Sequence, residues 1–330
     1  MTYIGIDIAA ASFDMVVRRS GKSLKATNHK QSAESHLSVV KQLAKLNPER
    51  IIIEATGIYY LDLSVTLYKA GLPVCVINPK SFHHFAALKL QSTKTDRIDA
   101  ALLAEYGERI SPKLWEAPNE TFMELRAIGR HINRLTHQKT QAKNRLHALK
   151  ATQTTASMLI DDEQEGIEYL EIRIKRLTRA AKELINKESE LALHFTNIQC
   201  AKGISEASCI SILGEVMVLP RELKASQVVR HAGMDVRLTQ SGTSIDKPGR
   251  LSKTGNSYLR SALFMPALNA ANNDQYARAF KDTLMEKPKK KKIQAICAIM
   301  RKYLMGIWAC IKTRQPFDAS LLFSEAHLKG

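Results

Sequence analysis

The sequence predicts an α/β first third followed by a mainly helical remainder. Three observations predict it. Up to about residue 118, short apolar, β-branched runs alternate with stretches of helical periodicity. From residue 119 onward the apolar residues recur at spacings of three and four. The chain has 330 residues and is 45% apolar, enough for two domains, each with its own core.

The elements of the first third follow in order. Residues 2–7 form a short apolar strand, and 13–18 and 24–29 read as two more, with the turn signal Ser20-Gly21 between them. A helix fits 33–46 and stops near Asn47-Pro48. Ile51-Ile52-Ile53-Glu54 is a buried strand by its β-branched run. A helix over 60–69 ends at Gly71, and 73–77 is the next strand. Two helices come after it, separated by the polar loop around Ser92-Thr93-Lys94. Three meandering strands and then alternating helix and strand make an open mixed sheet, the order of a ribonuclease-H-like domain, here residues 1–118.

Residues 119–197 read as a helical segment. Phe122, Leu125, Ile132, Leu135, Leu146 and Leu149 give an interrupted apolar face over 119–150. Arg126, Arg130, Arg134, Lys139, Lys143 and Arg145 make the rest basic, either a solvated face or a phosphate-tracking one. Ile167, Leu170, Ile174, Leu177, Ala181, Leu184 and Leu191 then form a heptad-like seam. It suits a helix packed on its own chain or a dimerising coiled coil, and the charge on its other faces favours the coiled coil. Residues 198–330 read as a mainly α domain, with helices at 201–218 and 225–232, a turn-rich segment at 239–254, and further helices to about 312. The basic run 287–292 is a loop, solvated or in contact with phosphate.

Charge narrows the function. Lys plus Arg number 49 against 32 Asp plus Glu, a formal net charge of +17. Such a field attracts polyanions, nucleic acid first and an anionic membrane surface second. There is no spanning apolar stretch, and the N-terminus has no signal-peptide pattern. Five widely spaced cysteines without a Cys-x-x-Cys pair read as reduced core thiols, not a zinc site or a disulfide framework. The expectation is a cytoplasmic, nucleoid-associated protein.

Four acids stand out by position. Asp7 and Glu54 end apolar strands, and Asp96 and Asp99 sit three apart at a helix start, which puts them on one face. Buried carboxylates need neutralising, and two Mg²⁺ ions about 4 Å apart would clamp the attacking and leaving oxygens of a phosphoryl transfer. Hard oxygen ligands suit Mg²⁺ or Mn²⁺. The same acids could be surface ions or caps, Asp96 for the helix after it.

Ile4-Gly5-Ile6-Asp7, Ile53-Glu54-Ala55-Thr56-Gly57, Val76-Ile77-Asn78-Pro79 and Lys94-Thr95-Asp96-Arg97-Ile98-Asp99-Ala100 occur in that order. Gln240-Ser241-Gly242-Thr243-Ser244, Gly249-Arg250-Leu251-Ser252-Lys253-Thr254-Gly255, Leu259-Arg260, Leu263-Phe264-Met265-Pro266-Ala267 and Pro316-Phe317-Asp318-Ala319-Ser320 follow. This ordered series, covering nearly the whole chain, resembles the DEDD-type insertion-sequence transposases and the related Piv invertases. The resemblance implies a RuvC-like first domain, a helical coiled-coil linker and a C-terminal transposase domain. It implies Asp7, Glu54, Asp96 and Asp99 as metal-binding acids and Ser241 as the nucleophile that forms a covalent phosphoserine link to DNA. It also implies donor and target DNA, a structured non-coding bridge RNA, and homodimers that pair into a tetramer. Ala201-Lys202-Gly203-Ile204-Ser205 resembles a hairpin of the second domain, with Ser205 where a second glycine is typical.

A serine hydroxyl needs activation. The nearest histidine in sequence is His231, so a metal held by the acids is the expected activator, and Thr239 to Ser244 suits a mobile loop. Ser241-Gly242 could also be a plain turn; Ser244 and Ser252 are further nucleophile candidates. Phosphate contacts are expected from the basic helix, from Lys247, Arg250 and Lys253, and from the 287–292 run. Only 6% of the residues are aromatic, which fits recognition by guide pairing better than by base stacking. Three other readings stand beside this one: a RuvC-like Holliday-junction nuclease with water as nucleophile, an actin-like ATPase or sugar kinase suggested by Gly5-Ile6-Asp7-Ile8-Ala9, and an RNA-binding protein with a dead catalytic domain.

Overall fold

The computed structural model describes residues 1–90, 95–241, 245–286 and 290–323. The 92–94 loop, 242–244 with Ser244, and 287–289 of the basic run lie outside the described residues, as do the side chains of Ser241 and Lys247. The chain forms two compact units, Met1–Ala117 and Pro118–Gly330.

Unit one is a mixed sheet with helices on both faces. Its strands are β1 (Thr2–Ile8), β2 (Ser12–Arg19), β3 (Lys22–Ser23), β4 (Thr27–Lys30), β5 (Arg50–Glu54) and β6 (Val74–Ile77), in the order β3-β2-β1-β5-β6 with β4 also paired to β2. β1 is antiparallel to β2 and parallel to β5, and β5 is parallel to β6. This is the ribonuclease-H-like order. The strand expected over 24–29 is instead two short pieces, because Leu24 is exposed and gives the chain no core contact there.

Alternation along the strands divides the core. Ile4, Ile6, Phe13 and Met15 pack with Val39 and Leu43 of α1 (Ala33–Leu46) and Leu63 and Leu67 of α2 (Tyr60–Lys69). On the other face Ile52, Cys75 and Ile77 meet Phe82 and Phe85 of α3 (Pro79–Leu88) and Leu102, Leu103 and Tyr106 of α4 (Asp96–Ile110).

Unit two is mainly helical: α5 (Glu120–Lys150), α6 (Ser157–Lys187), α7 (Ser189–Gln199), α8 (Glu206–Val216), α9 (Ala225–His231), α10 (Ser257–Asn273), α11 (Gln275–Glu286) and α12 (Lys292–Thr313). The apolar seam of α6 lies on α5 of the same chain, with Ile167, Ala181 and Ile185 buried. The face expected to dimerise is therefore covered within the chain. Residues 119–197, set off in the sequence as a segment of their own, share one core with the helices that follow. Tyr303 and Trp308 of α12 are buried at its centre, their polar atoms donating to the Lys202 and Leu223 carbonyls at 3.0 Å each. The tail residue Phe317 packs on Tyr303, with ring centroids 5.1 Å apart.

Three local expectations change. The turn-rich segment at 239–254 is a β-ribbon, β7 (Val236–Ser241) antiparallel to β8 (Ile245–Leu251). Ser205 has φ −75° and caps α8, accepting from the Ser208 amide at 3.2 Å, so no left-handed residue is needed where the second glycine was expected. Of the cysteines, Cys200 is exposed and so is not a core thiol. Among the described residues no helix is long and apolar enough to cross a membrane.

Candidate active site

Asp7 lies near the C-terminal end of β1, and Glu54 ends the parallel neighbour β5. These are the carboxyl ends of adjacent strands, where open α/β sheets bind ligands. Asp96 and Asp99 occupy the first turn of α4. That helix starts where it does because Thr95, extended at φ −147°, accepts from the Ile98 amide at 3.3 Å. Thr95 is thus the cap, and Asp96 is left exposed for another role. Acids in a first helical turn are stabilised by the helix dipole.

What brings α4 to β1 is the lack of a side chain at Gly5. A Cβ there would stand 2.0 Å from the Ala100 carbonyl oxygen and 2.3 Å from the Ala104 nitrogen. Further along α4, Gly107 lets the helix lie against Ile52 of β5, where a Cβ would stand 2.1 Å from the Ile52 Cδ1. The two glycines draw the helix onto the strands that carry Asp7 and Glu54.

The electrostatics show that the four acids share a neighbourhood. Burial, then the charges of Asp99, Asp96 and Glu54, push the Asp7 carboxyl up from 3.8 to about 7, against a smaller opposing hydrogen bond from the Ile8 backbone. Asp99 is buried, and Glu54 accepts from the Thr56 hydroxyl at 3.1 Å. Among the described residues, no three acidic, histidine or cysteine side chains already stand at metal-ligand spacing. All-oxygen donors of this kind suit Mg²⁺ or Mn²⁺, and a buried Asp7 carboxyl with three acids in electrostatic reach is the situation a divalent cation relieves.

The serine motif lies in unit two. Ser241 is the last residue of β7, paired with Ile245 across the ribbon. The base of the ribbon is tied down. The amides of Ser252, Lys253 and Asn256 donate to the carbonyls of Asp235, Gly233 and His231 at 2.9, 3.0 and 2.8 Å. The Ser252 hydroxyl donates to Asp235 Oδ1 at 2.5 Å, which commits this alternative nucleophile to a structural bond. Of the mobile loop expected over Thr239 to Ser244, Thr239, Gln240 and Ser241 pair across the ribbon with Lys247, Asp246 and Ile245, and the rest lies outside the described residues.

The basic residues divide by partner. Arg126 and Arg130 of α5 hold the buried Glu215 of α8, with Nε–Oε distances of 3.1 and 2.5 Å. Arg130 also lies 4.6 Å from the centroid of the Tyr258 ring. Lys139 and Lys143 stand 3.5 and 3.6 Å from Glu171, and Arg145 bonds Glu163 at 2.6 Å. Arg134, Arg250 and Lys253 are exposed. The structure adds Arg237, exposed and in register with Arg250 across the ribbon. Only the ribbon register brings this pair out. Like charges directly opposite are unfavourable unless an anion lies over them.

The comparisons with known proteins agree with this layout. Residues 4–152 match the DEDD family model of IS110 type, described as "Transposase", and residues 196–282 match "Transposase IS116/IS110/IS902 family". The pilin gene-inverting proteins of Moraxella lacunata and Moraxella bovis are each 31% identical over 320 residues, covering 96% of this chain and 98% of theirs. The chain belongs to the IS110-family transposases and Piv-like recombinases. This transposase is therefore a DNA-recombining enzyme, and its four acids fall inside the first matched region. Two solved structures of Thermus thermophilus RuvC, one in complex with a Holliday junction substrate, overlap 34% of the chain at 18% identity. Their TM-scores are 0.28 and 0.27, and the transposase's ribonuclease-H-like character is read from its own strand order.

Proposed function

We propose that this transposase cuts and rejoins DNA through a covalent phosphoserine at Ser241, with Asp7, Glu54, Asp96 and Asp99 holding Mg²⁺ or Mn²⁺. The observation that carries the reading is that burial and then the charges of all three other acids raise the Asp7 carboxyl to about 7, which places Asp99, Asp96 and Glu54 within electrostatic reach of it. When bound, the cation supplies Lewis acidity at the scissile phosphate and lowers the pKa of a coordinated hydroxyl.

The residues do the rest. Asp7, Glu54, Asp96 and Asp99 would hold the cation as carboxylates, the Asp7 proton passing to solvent water. Ser241 Oγ attacks phosphorus, forming the Oγ–P bond as the bond from phosphorus to one deoxyribose oxygen breaks. The serine proton ends on that leaving oxygen. Attack by another strand's hydroxyl reverses the step and frees the serine, so rejoining needs no ATP. The reading requires both the acids of 1–118 and the serine of 198–330, from one chain or from two. The 119–197 helices are assigned to nucleic-acid support.

Exposed Arg134, Arg237, Arg250 and Lys253 supply phosphate contacts in this reading, with Lys247 joining them. The +17 charge suits two kinds of polyanion, donor and target DNA together with a guiding bridge RNA. Synapsis of two DNA sites suits homodimers paired as a tetramer. The pilin gene-inverting relatives support segment inversion as one outcome.

The test is Ser241→Ala on full-length protein with Mg²⁺ and labelled DNA carrying the element's ends. Protein–DNA adducts seen on denaturing gels with the wild type should vanish, while DNA and RNA binding persist. Adducts that survive would exclude Ser241. Hydrolysed rather than rejoined ends would point to water as the nucleophile.

A further inference from the structure

Asp14 belongs to none of the motifs above. It lies on β2 directly opposite Asp7 of β1, and directly paired residues point to the same face with Cβ atoms roughly 5 Å apart. That face is the one α4 covers. Gly5, two residues before Asp7, abuts Ala100 and Ala104. Arg18, four residues after Asp14, reaches Glu108 of α4 at 2.7 Å and Glu105 at 4.0 Å.

The position along α4 follows from these anchors. β2 runs in the same direction as α4, because β1 is antiparallel to both. Four strand residues span about 13 Å, the rise of about nine helical residues. Counting back from Glu105 and Glu108 brings Asp14 opposite the first turn of α4, where Asp96 and Asp99 stand. The same count from Gly5 brings Asp7 to that turn.

Asp14 is 7% exposed, and its Oδ1 meets no hydrogen-bond donor among the described residues. Burying such an oxygen is costly, and packing does not require it: Val16, the next residue on that face, is buried. His29 is near enough to feel the Asp14 charge, but its ring stacks on Phe13 at 5.2 Å and its Nε2 meets Thr27 Oγ1 at 2.9 Å.

We infer that Asp14 is a fifth carboxylate of the acid site, placed so that its unpartnered oxygen accepts a hydrogen bond from a water of the hydrated divalent cation. Mg²⁺ dehydrates reluctantly and keeps several waters, and carboxylates that orient such waters tune metal affinity. The inference rests on the metal reading proposed above.

Calorimetric Mn²⁺ titration of the full-length protein tests it, with wild type, Asp14→Asn, Asp14→Ser and Asp7→Asn side by side and thermal unfolding recorded in EDTA. Asp14→Asn should weaken Mn²⁺ binding about tenfold or more and raise the metal-free Tm, because an uncompensated buried charge is removed. Asp14→Ser, smaller and also neutral, should weaken Mn²⁺ likewise. Asp7→Asn should abolish binding. Wild-type Mn²⁺ affinity in both Asp14 variants, with binding lost in Asp7→Asn, overturns the role of Asp14 and leaves the metal site standing. A lowered metal-free Tm with unchanged affinity would make Asp14 a structural residue. Unchanged affinity in Asp7→Asn as well overturns the metal site itself, and Asp14's part with it.

Discussion

Gly5 of β1 lies so close to Ala100 of α4 that a Cβ on the glycine would stand 2.0 Å from the Ala100 carbonyl oxygen. Neither of the nearest atoms, Ala100 O and Ala104 N, belongs to a flexible side chain that could turn aside. Gly5→Ala therefore forces α4 off the sheet. Overpacking of this kind costs about 3 kcal/mol, and here the displaced helix carries Asp96 and Asp99. The expected result is a lower denaturant midpoint together with weakened Mn²⁺ binding. A midpoint and an affinity both at wild-type values would mean that the contact does not set the site.

The raised Asp7 carboxyl makes metal-free stability depend on pH. The folded protein holds this proton up to about pH 7, whereas the unfolded chain releases it near 3.8. The contribution is fully present below the unfolded value and is lost as the pH climbs through about 7. In EDTA, the wild type should lose stability from about pH 4 to about pH 7 and level off above that, and Asp7→Asn should lose less. Urea midpoints across that range measure the difference. Mn²⁺ should restore stability most at the alkaline end, because the cation binds the ionised carboxylate.

Much of unit one was legible in the sequence because its strands and helices carry strong local signals. The β-branched run at Ile51 to Ile53 and the Asn47-Pro48 stop mark β5 and the end of α1 directly. The four acids were legible as positions, since each ends an apolar run or begins a helix. Their mutual coupling was not, because it depends on how closely α4 approaches β1. Asp14 has no local signature either: its place opposite Asp7 follows from strand register, which no local pattern reports. The seam of α6 was visible as periodicity, but periodicity does not say which helix covers it. Tertiary packing gave that place to α5. The sequence does not choose between a solvated and a phosphate-tracking face on α5, because its residues divide according to acids on α6 and α8 that are distant in sequence.

That division separates the roles of the basic residues. Arg134 is exposed on α5, whereas Lys139 and Lys143 share Glu171. Arg134→Ala should leave the Tm unchanged, weaken DNA and RNA binding across sequences, and reduce the slope of log affinity against log salt by about one. Glu171→Ala frees both lysines and should steepen that slope. Filter binding over a salt series measures both. A flat response to Arg134→Ala would remove α5 from the nucleic-acid surface.

Glu215 has the opposite character. It is 2% exposed and accepts from Arg126 at 3.1 Å, from Arg130 at 2.5 Å and from the Asn256 side chain at 2.6 Å. These bonds, together with the arginine charges, hold its carboxyl below the usual glutamate range although burial opposes them. Asn256 caps α10, and its amide also bonds the His231 carbonyl at the base of the β7–β8 ribbon. Glu215→Ala strands two arginines that are only about a quarter exposed, and breaking a buried pair costs about 3 kcal/mol or more. Glu215→Gln keeps one acceptor oxygen and should cost less. Arg126→Ala should lower stability while leaving the salt slope of DNA binding unchanged, which is the reverse of Arg134→Ala. Denaturation and salt-series binding on the same preparations decide between the two roles, and a reduced slope in Arg126→Ala would return that arginine to the phosphate-contacting set.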